Sequence, residues 1–168
     1  IYDEGNLVGN HTFSHRNVAN VSPDRTFAEL KLTRLLIECI TGHTTILFRP
    51  PYNADSEPAN MEELVPVVLA REQNYIDVGE SIDPEDWEPR ITADQIFNRI
   101  VKQVKQGAGH VILLHDAGGD TRKETIKALP RIIEYFQKRG YKFVTLEEIL
   151  QKKRDQLMKK KKKGKEYY

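Results

Sequence analysis

Two histidines lie four positions apart near the start of the sequence, within GNHTFSH (Gly9–His15). Neutral imidazole is a good ligand for zinc and related divalent metals, and this spacing brings the rings of His11 and His15 within reach of one ion. A catalytic zinc normally has a third protein ligand, and no third ligand stands out in this sequence. Taken alone, the two histidines are more typical of capping or surface residues, so the other polar clusters must decide.

A second cluster with chemical potential is FRPPYN (Phe48–Asn53). The two prolines stiffen the backbone after an apolar run, which would aim Arg49 in a fixed direction. A guanidinium held in this way can orient a carboxylate through a bidentate contact. A surface turn with a salt-bridged arginine explains the motif equally well.

The remaining clusters combine acids, an aromatic residue and a further histidine. IDPEDWEP places Asp86 beside Trp87, although an acidic loop that starts a helix would have the same residues. VILLHD ends an apolar run in His115, which could act as a general acid if a carboxylate held its other ring nitrogen. The competing interpretation of His115 is a hydrogen-bonded histidine at the edge of the core.

Short apolar runs bounded by Gly, Pro or Asp predict the strands that would position these clusters. The predicted strands are Asn6–His11, Thr44–Pro51, Asn74–Gly79, Gly109–Asp116 and Tyr141–Leu146. Helical patterns lie between them, so a parallel α/β sheet is expected, either a barrel or a doubly wound sheet. Each cluster follows a predicted strand, and sites in such folds form at the carboxyl ends of strands. We therefore expect the clusters to meet at one edge.

The predicted helices have clear start and stop residues. Ser22 with Pro23 starts one helix that Gly42 ends, and Thr92 with Gln95 forms a capping box for a second that Gly107 ends. A third helix ends at Gly140. The apolar positions taken to mark the first and third helices are Phe27, Leu30, Leu35, Ile37, Ile126, Leu129, Ile133 and Phe136.

Composition excludes several classes of protein. The 168 residues are 39% hydrophobic and 30% charged, which is typical of a folded domain and not of a disordered chain. Nine of the basic residues lie in the last 17, so the charge is not spread over a face as in nucleic-acid binding. The sequence has no apolar run long enough to span a membrane. Because it starts at Ile1 without an initiator Met, we expect a piece of a longer protein.

Taken in order, the clusters resemble the motifs of the NodB-homology polysaccharide deacetylases, carbohydrate esterase family four. HTFSH is similar to the family's H-S/T-x-x-H, RPPY to R-x-P-Y, DPEDW to D-x-x-D-W and LLH to L-x-H. The resemblance covers nearly all of residues 1–150. It implies a distorted (β/α) barrel and metal-dependent removal of N-acetyl groups from amino-sugar polysaccharides such as peptidoglycan, chitin-like chains or poly-N-acetylglucosamine.

The family pattern also implies a role for each matching residue. His11 and His15 would be metal ligands, with zinc expected and cobalt or nickel as alternatives. Arg49 would orient the catalytic carboxylate, and the backbone amide of Tyr52 would help to hold the oxyanion. Asp86 would hold His115 as the general acid that protonates the leaving amine. Trp87 and Leu113 would line the groove and the acetyl pocket.

One family motif, T-F-D-D-G, has no match in this sequence. It would supply the base aspartate and the third metal ligand, and it normally precedes H-S/T-x-x-H. We therefore expect a barrel that lacks its first strand, an Arg49 whose carboxylate partner lies outside this chain, and no deacetylation by the fragment alone.

The end of the sequence gives a weaker indication. Residues 151–168 are expected to form a basic linker or tail after a deacetylase domain at 1–150. RDQLMKKKKKGKEYY resembles the segment that follows the deacetylase domain in fusions with a membrane glycosyltransferase. The parent protein would then work outside the cytoplasm or at the cell envelope, where its other parts could anchor it.

Two alternatives for the function stay open: an O-acetyl xylan or glycan esterase of the same family, and a non-catalytic carbohydrate-binding module.

Overall fold

The structure, a computed structural model, describes residues 1–53, 61–119 and 121–157. Its helices are α1 (Pro23–Thr41), α2 (Met61–Glu72), α3 (Ala93–Lys105), α4 (Lys123–Gln137) and α5 (Leu146–Leu157), and its strands are β1 (Leu47–Phe48) and β2 (Ile76–Asp77). Short 3-10 turns lie at Tyr2–Glu4, Val18–Asn20 and Pro51–Asn53. Within the described ranges, no helix is long and apolar enough to cross a membrane.

The pairing of the strands is parallel and follows chain order. β1 pairs with β2 in the register Leu47–Ile76 and Phe48–Asp77. Asn10 bridges in parallel to Phe48 on one side, and Ile82 bridges in parallel to Ile112 farther along the chain. A doubly wound sheet reverses its strand order at one point, whereas a (β/α) barrel places successive strands side by side. The observed order is therefore that of a barrel wall.

The strands are shorter than the sequence predicted, and one prediction is wrong. The segment predicted as the strand Asn6–His11 contributes a single bridge at Asn10. Tyr141–Leu146 is not a strand: its residues lack regular structure until Leu146 begins α5. Tyr141 and Phe143 are 45% and 51% exposed. A β-rich sequence becomes a strand only where a neighbour pairs its backbone, and no strand partner occurs in the described part of the chain.

The predicted starts of α1 and α3 and the predicted end of α1 are confirmed, whereas α3 and α4 end at Lys105 and Gln137, shortly before the predicted Gly107 and Gly140. Ser22 accepts a hydrogen bond from the Arg25 N–H at the start of α1, and Gly42 ends the helix in the left-handed conformation. Thr92 and Gln95 form the complete capping box of α3. Local signals of this kind are readable because a cap satisfies backbone groups a few residues away and needs no distant partner.

Half of the apolar positions that marked α1 and α4 in the sequence are exposed. Of the marker residues, Leu30 and Phe136 are buried, whereas Phe27, Leu35, Ile126 and Leu129 are exposed. The buried stripe of α4 is displaced by one residue at three of its four positions: Thr125, Ala128, Ile132 and Phe136. This stripe joins Ile82, Ile96, Phe97 and Ile100 in the larger hydrophobic core. A smaller core holds Leu30, Phe48, Ala70 and Tyr75.

The predicted boundary at residue 150 falls inside α5, which runs from Leu146 to Leu157. The assignment of 151–168 to a linker or tail stays a prediction, and residues 158–168 lie outside the described residues.

Candidate active site

The two spaced histidines lie on a tight loop that directly follows the Asn10 bridge. Their ring centroids are 5.0 Å apart, with the rings inclined at 71°. Thr12 and His15 adopt positive φ values of 66° and 55°, a sparsely populated conformation for residues other than glycine. These turns of the backbone bring both rings to the same side of the loop.

A hydrogen bond fixes the orientation of the His11 ring. Nδ1 of His11 lies 2.7 Å from the Arg49 carbonyl oxygen. Because a carbonyl oxygen only accepts, Nδ1 carries the proton and donates, which leaves the Nε2 lone pair free. A hydrogen bond of this type, made by the ring nitrogen that does not bind the metal, orients metal-ligating histidines in proteins.

The surroundings of His11 favour its neutral form. Partial burial of the ring, the largest cause, lowers the pKa of His11 below its ordinary value. The bond to the Arg49 carbonyl acts in the opposite direction, and positive charge at His15, Arg49 and His115 lowers the pKa further. Neutral imidazole is the form that binds metals, so the local electrostatics agree with a ligand role.

The distance between the two rings fits a shared metal ion. Two imidazoles bound to one tetrahedral zinc, with Zn–N bonds of about 2.0–2.1 Å, have ring centres roughly 5 Å apart. His11 and His15 match this spacing. The part of the chain that the structure describes contains no group of three or more His, Cys, Asp or Glu side chains that could hold the ion. The two histidines are thus suited to part of a ligand set, and their role as ligands stays a prediction.

Arg49 has a carboxylate partner within this chain that was not predicted, whereas its orientation of a catalytic carboxylate from outside this chain stays a prediction. Its guanidinium forms an ion pair with the largely buried Glu80. It also donates to Asn53 Oδ1 at 2.8 Å and to the Val78 carbonyl at 3.2 Å. Glu80 could not be identified from the sequence, because it lies outside the quoted motifs and meets Arg49 only through the pairing of β1 with β2.

Tyr52, Trp87 and Leu113 are exposed to different extents. Tyr52 is 67% exposed, and its ring centroid lies 5.2 Å from that of His15. Trp87 is 51% exposed and directly follows Asp86. Leu113 is half-buried, and its backbone N–H donates to the Ile82 carbonyl at 2.9 Å. Their proposed contacts with substrate stay predictions.

The contact predicted between Asp86 and His115 is present. Nδ1 of His115 lies 2.7 Å from Asp86 Oδ1, and the His115 backbone N–H donates to Asp86 Oδ2 at 3.0 Å. The Asp86 side chain is fully buried, whereas the His115 side chain keeps one third of its surface exposed. Since the carboxylate occupies Nδ1, the other ring nitrogen of His115 is the one that can exchange a proton with a bound molecule.

Two further residues hold this pair and were missed from the sequence. The Thr125 hydroxyl donates to Asp86 Oδ2 at 2.8 Å. Arg122 donates to the Asp86 carbonyl at 3.1 Å and to the Ala117 carbonyl at 2.9 Å, which ties the loop after His115 to the acidic loop. Thr125 is the polar residue in the otherwise apolar buried stripe of α4, and a polar residue at such a position indicates a buried hydrogen-bond partner.

Comparison with known proteins places this arrangement in a family. A family model described as polysaccharide deacetylase matches residues 1–64. Two peptidoglycan-N-acetylglucosamine deacetylases of Bacillus cereus are 32% and 33% identical over 151 and 156 residues, 90% and 91% of this chain. The chain spans 51% of the length of the first and 67% of the second.

A solved structure agrees with the sequence relatives. A family 4 acetyl xylan esterase from Clostridium thermocellum, in complex with a cobalt ion, is 32% identical and has a TM-score of 0.72. The match covers 90% of this chain and 67% of that one. The chain therefore belongs to the NodB-homology polysaccharide deacetylases of carbohydrate esterase family four.

Proposed function

We propose that this chain forms part of a metal-dependent hydrolase that removes N-acetyl groups from peptidoglycan or a related amino-sugar polysaccharide at the cell envelope. The observation that carries the proposal is the pair of the buried Asp86 and the partly exposed His115, whose charge is near enough to His11 to lower the pKa of His11. The deacetylase relatives, named for peptidoglycan N-acetylglucosamine, support this substrate class.

The Asp86–His115 pair supplies the proton for the reaction. Asp86 accepts from Nδ1 of His115, which holds the imidazole in one orientation. The other ring nitrogen can then donate to the leaving amine nitrogen as the C–N bond breaks. General acid catalysis of this kind contributes typically about 10²–10⁴-fold to rate.

The histidine loop would hold the metal. His11 and His15 would be two of its ligands, and the bound ion would polarise the acetyl carbonyl and lower the pKa of water. Zinc is proposed first because imidazole suits it, with cobalt or nickel as alternatives. The backbone amide of Tyr52 would bind the oxyanion, while Trp87 and Leu113 would contact the sugar and the acetyl group.

Arg49 takes a modified role in this proposal. Its guanidinium already pairs with Glu80 and Asn53, so it is held in place before any further carboxylate is reached. Its carbonyl holds the His11 ring. We propose that Arg49 links the loop from His11 to His15 to the segment that follows β2. From that position it would orient the base carboxylate.

A same-family alternative is removal of O-acetyl groups. Similarity to the acetyl xylan esterase favours it. Ester and amide hydrolysis share the oxyanion but differ in the leaving group: an amine must be protonated to depart, whereas an alkoxide depends on the acid less. The requirement for His115 therefore separates the two activities.

The test uses the natural protein that carries this sequence, with Zn²⁺ or Co²⁺ added. Acetate release is measured from N-acetylglucosamine oligomers, from peptidoglycan and from acetylated xylan. We expect release from the amide substrates, and its loss in His115→Ala. Release from xylan alone would replace the deacetylase proposal with the esterase, and no release from any substrate would favour a carbohydrate-binding role.

A further inference from the structure

Glu29 of α1 is a buried carboxylate that no motif assigns. The residue is 1% exposed. Oε2 accepts from the backbone N–H groups of Phe13 and Ser14 at 2.9 and 2.7 Å. Oε1 accepts from the Ser14 hydroxyl at 2.7 Å and from two nitrogens of Arg25 at 3.0 and 2.6 Å. Both Phe13 and Ser14 lie between the two histidines.

The bonds to the loop are needed because its backbone is strained. Thr12 and His15 flank the two held amides and have positive φ values. Such conformations persist only where the surroundings over-determine them. A carboxylate accepting from two consecutive amides and a hydroxyl is a strong restraint, since charge-assisted hydrogen bonds are about twice as strong as neutral ones.

The start of the loop is held by the next residue of the same helix. The Asn10 side chain, 1% exposed, donates to the Leu30 carbonyl at 2.8 Å and to the Tyr75 hydroxyl at 2.7 Å. Its Oδ1 accepts from the Thr12 N–H at 3.0 Å. One turn of α1, through Glu29 and Leu30, thus restrains the segment on both sides of His11.

We propose that Glu29 is a positioning residue that holds the His11–His15 loop in its metal-binding shape before any metal arrives. It acts through Phe13 and Ser14 and does not touch the ion. The inference rests on the proposed metal-binding role of the two histidines. If Glu29 served only to stabilise α1, its loss would lower stability without a specific loss of metal affinity.

The experiment compares Glu29→Gln with the matched variant Thr26→Ala in the full 168-residue chain. The amide side chain of Glu29→Gln keeps the size of the carboxylate but presents N–H groups to donors of the loop or of Arg25. Thr26 lies on the same helix and is 1% exposed, and its hydroxyl bonds to the carbonyls of Ser22 and Val18, so its loss perturbs α1 without touching the loop. Co²⁺ and Zn²⁺ are each titrated calorimetrically below the unfolding temperature of every variant.

We expect Glu29→Gln to weaken Co²⁺ and Zn²⁺ binding by about 10-fold or more, the scale of lost outer-shell contacts. Thr26→Ala should stay within about twofold of the wild type, however much its Tm falls. Ser14→Ala removes one hydrogen bond to Glu29 Oε1 at an exposed position and should weaken metal binding by less. It replaces Glu29→Gln as the test variant if Glu29→Gln does not fold. Equal affinity of the wild type and the Glu29 and Ser14 variants would overturn the inference.

A second measurement separates this inference from the proposed function. Amide hydrogen exchange at Phe13 and Ser14 is followed in the metal-free chain, where we expect at least about tenfold faster exchange in Glu29→Gln but not in Thr26→Ala. Unchanged exchange would overturn the role of Glu29. Faster exchange combined with no metal binding by the wild type would instead retain Glu29 as the restraint of the loop and reject the metal-binding role of the histidines.

Discussion

The two halves of the candidate site are built on different kinds of support. The acid half, Asp86 with His115, rests on the larger hydrophobic core formed by α3, α4 and Ile82. The metal half, the loop from His11 to His15, lies beside a smaller core and is held by hydrogen bonds to Asn10 and Glu29. Apolar packing is non-directional, whereas hydrogen bonds specify geometry one contact at a time. The acid half should therefore tolerate change better than the metal half.

α1 shows the same difference. Of its apolar residues, only Leu30 is fully buried, and its other inward positions are the polar Thr26 and Glu29. Large apolar side chains remain exposed on its other faces: Phe27, Leu32, Leu35, Leu36 and Ile40. α3 and α4, in contrast, direct Ile96, Ile100, Ile132 and Phe136 into one core. The inward face of α1 is therefore committed to holding a loop and contributes less to packing.

The largest effect is expected from His11→Ala in the natural protein that carries this sequence. Loss of a ligand should release the metal and lower kcat/KM on the order of 10⁴-fold or more, because the ion supplies several kcal/mol of transition-state stabilisation. Metal content by atomic emission and acetate release are measured together. His43→Ala, at an exposed position in a helix-to-strand turn, is the control. Retained metal with full activity would remove His11 from the site.

His115→Ala should separate the two halves. We expect turnover to fall by about 10²–10⁴-fold while metal content stays at the wild-type level, because the general acid is lost and the histidine loop is intact. His110→Ala, at an exposed histidine just before the Ile112 bridge, is the matched control. Near-wild-type turnover in His115→Ala, or loss of metal with it, would contradict the division into two halves.

Thr125→Val tests how firmly the core supports the acid half. Asp86 Oδ2 would keep the bond from the His115 backbone N–H but lose that from Thr125, and a hydrogen bond to a charged group contributes about 1.5–3 kcal/mol to the unfolding free energy. Turnover should fall by no more than about tenfold, because Nδ1 of His115 still donates to Oδ1. Chemical denaturation and acetate release measure the two effects, and Thr125→Ser should restore both. A loss of turnover as large as in His115→Ala would mean that Thr125 sets the geometry of the pair.

Two kinds of prediction from the sequence were correct, for different reasons. The helix caps at Ser22 and Thr92 depend on local chemistry, whereas the Asp86–His115 contact joins residues 29 positions apart and was implied by the resemblance to a family. The loss of Tyr141–Leu146 as a strand depends on a neighbour that no local pattern encodes. The partners Glu29, Glu80 and Thr125 were missed for the same reason, because each meets the site through the packing of a different element.

The smallest effect concerns acid pH and the metal half. Burial alone would raise the pKa of Glu29, but hydrogen bonds from Ser14, Arg25 and Phe13 outweigh it and hold the pKa below the ordinary value of 4.5. A carboxyl whose pKa is lower in the folded state contributes stability above its ordinary pKa and loses it as the pH falls through the folded value. The unfolding free energy of the wild type should therefore decline more steeply below about pH 4.5 than that of Glu29→Gln. Urea unfolding of both chains between about pH 6 and 3.5 gives the two slopes, and only their difference is assigned to Glu29, since other carboxylates titrate in the same range. Parallel slopes would show that the hydrogen bonds to the loop do not favour the charged form, and the polar support proposed for the metal half would then have to come from Asn10 alone.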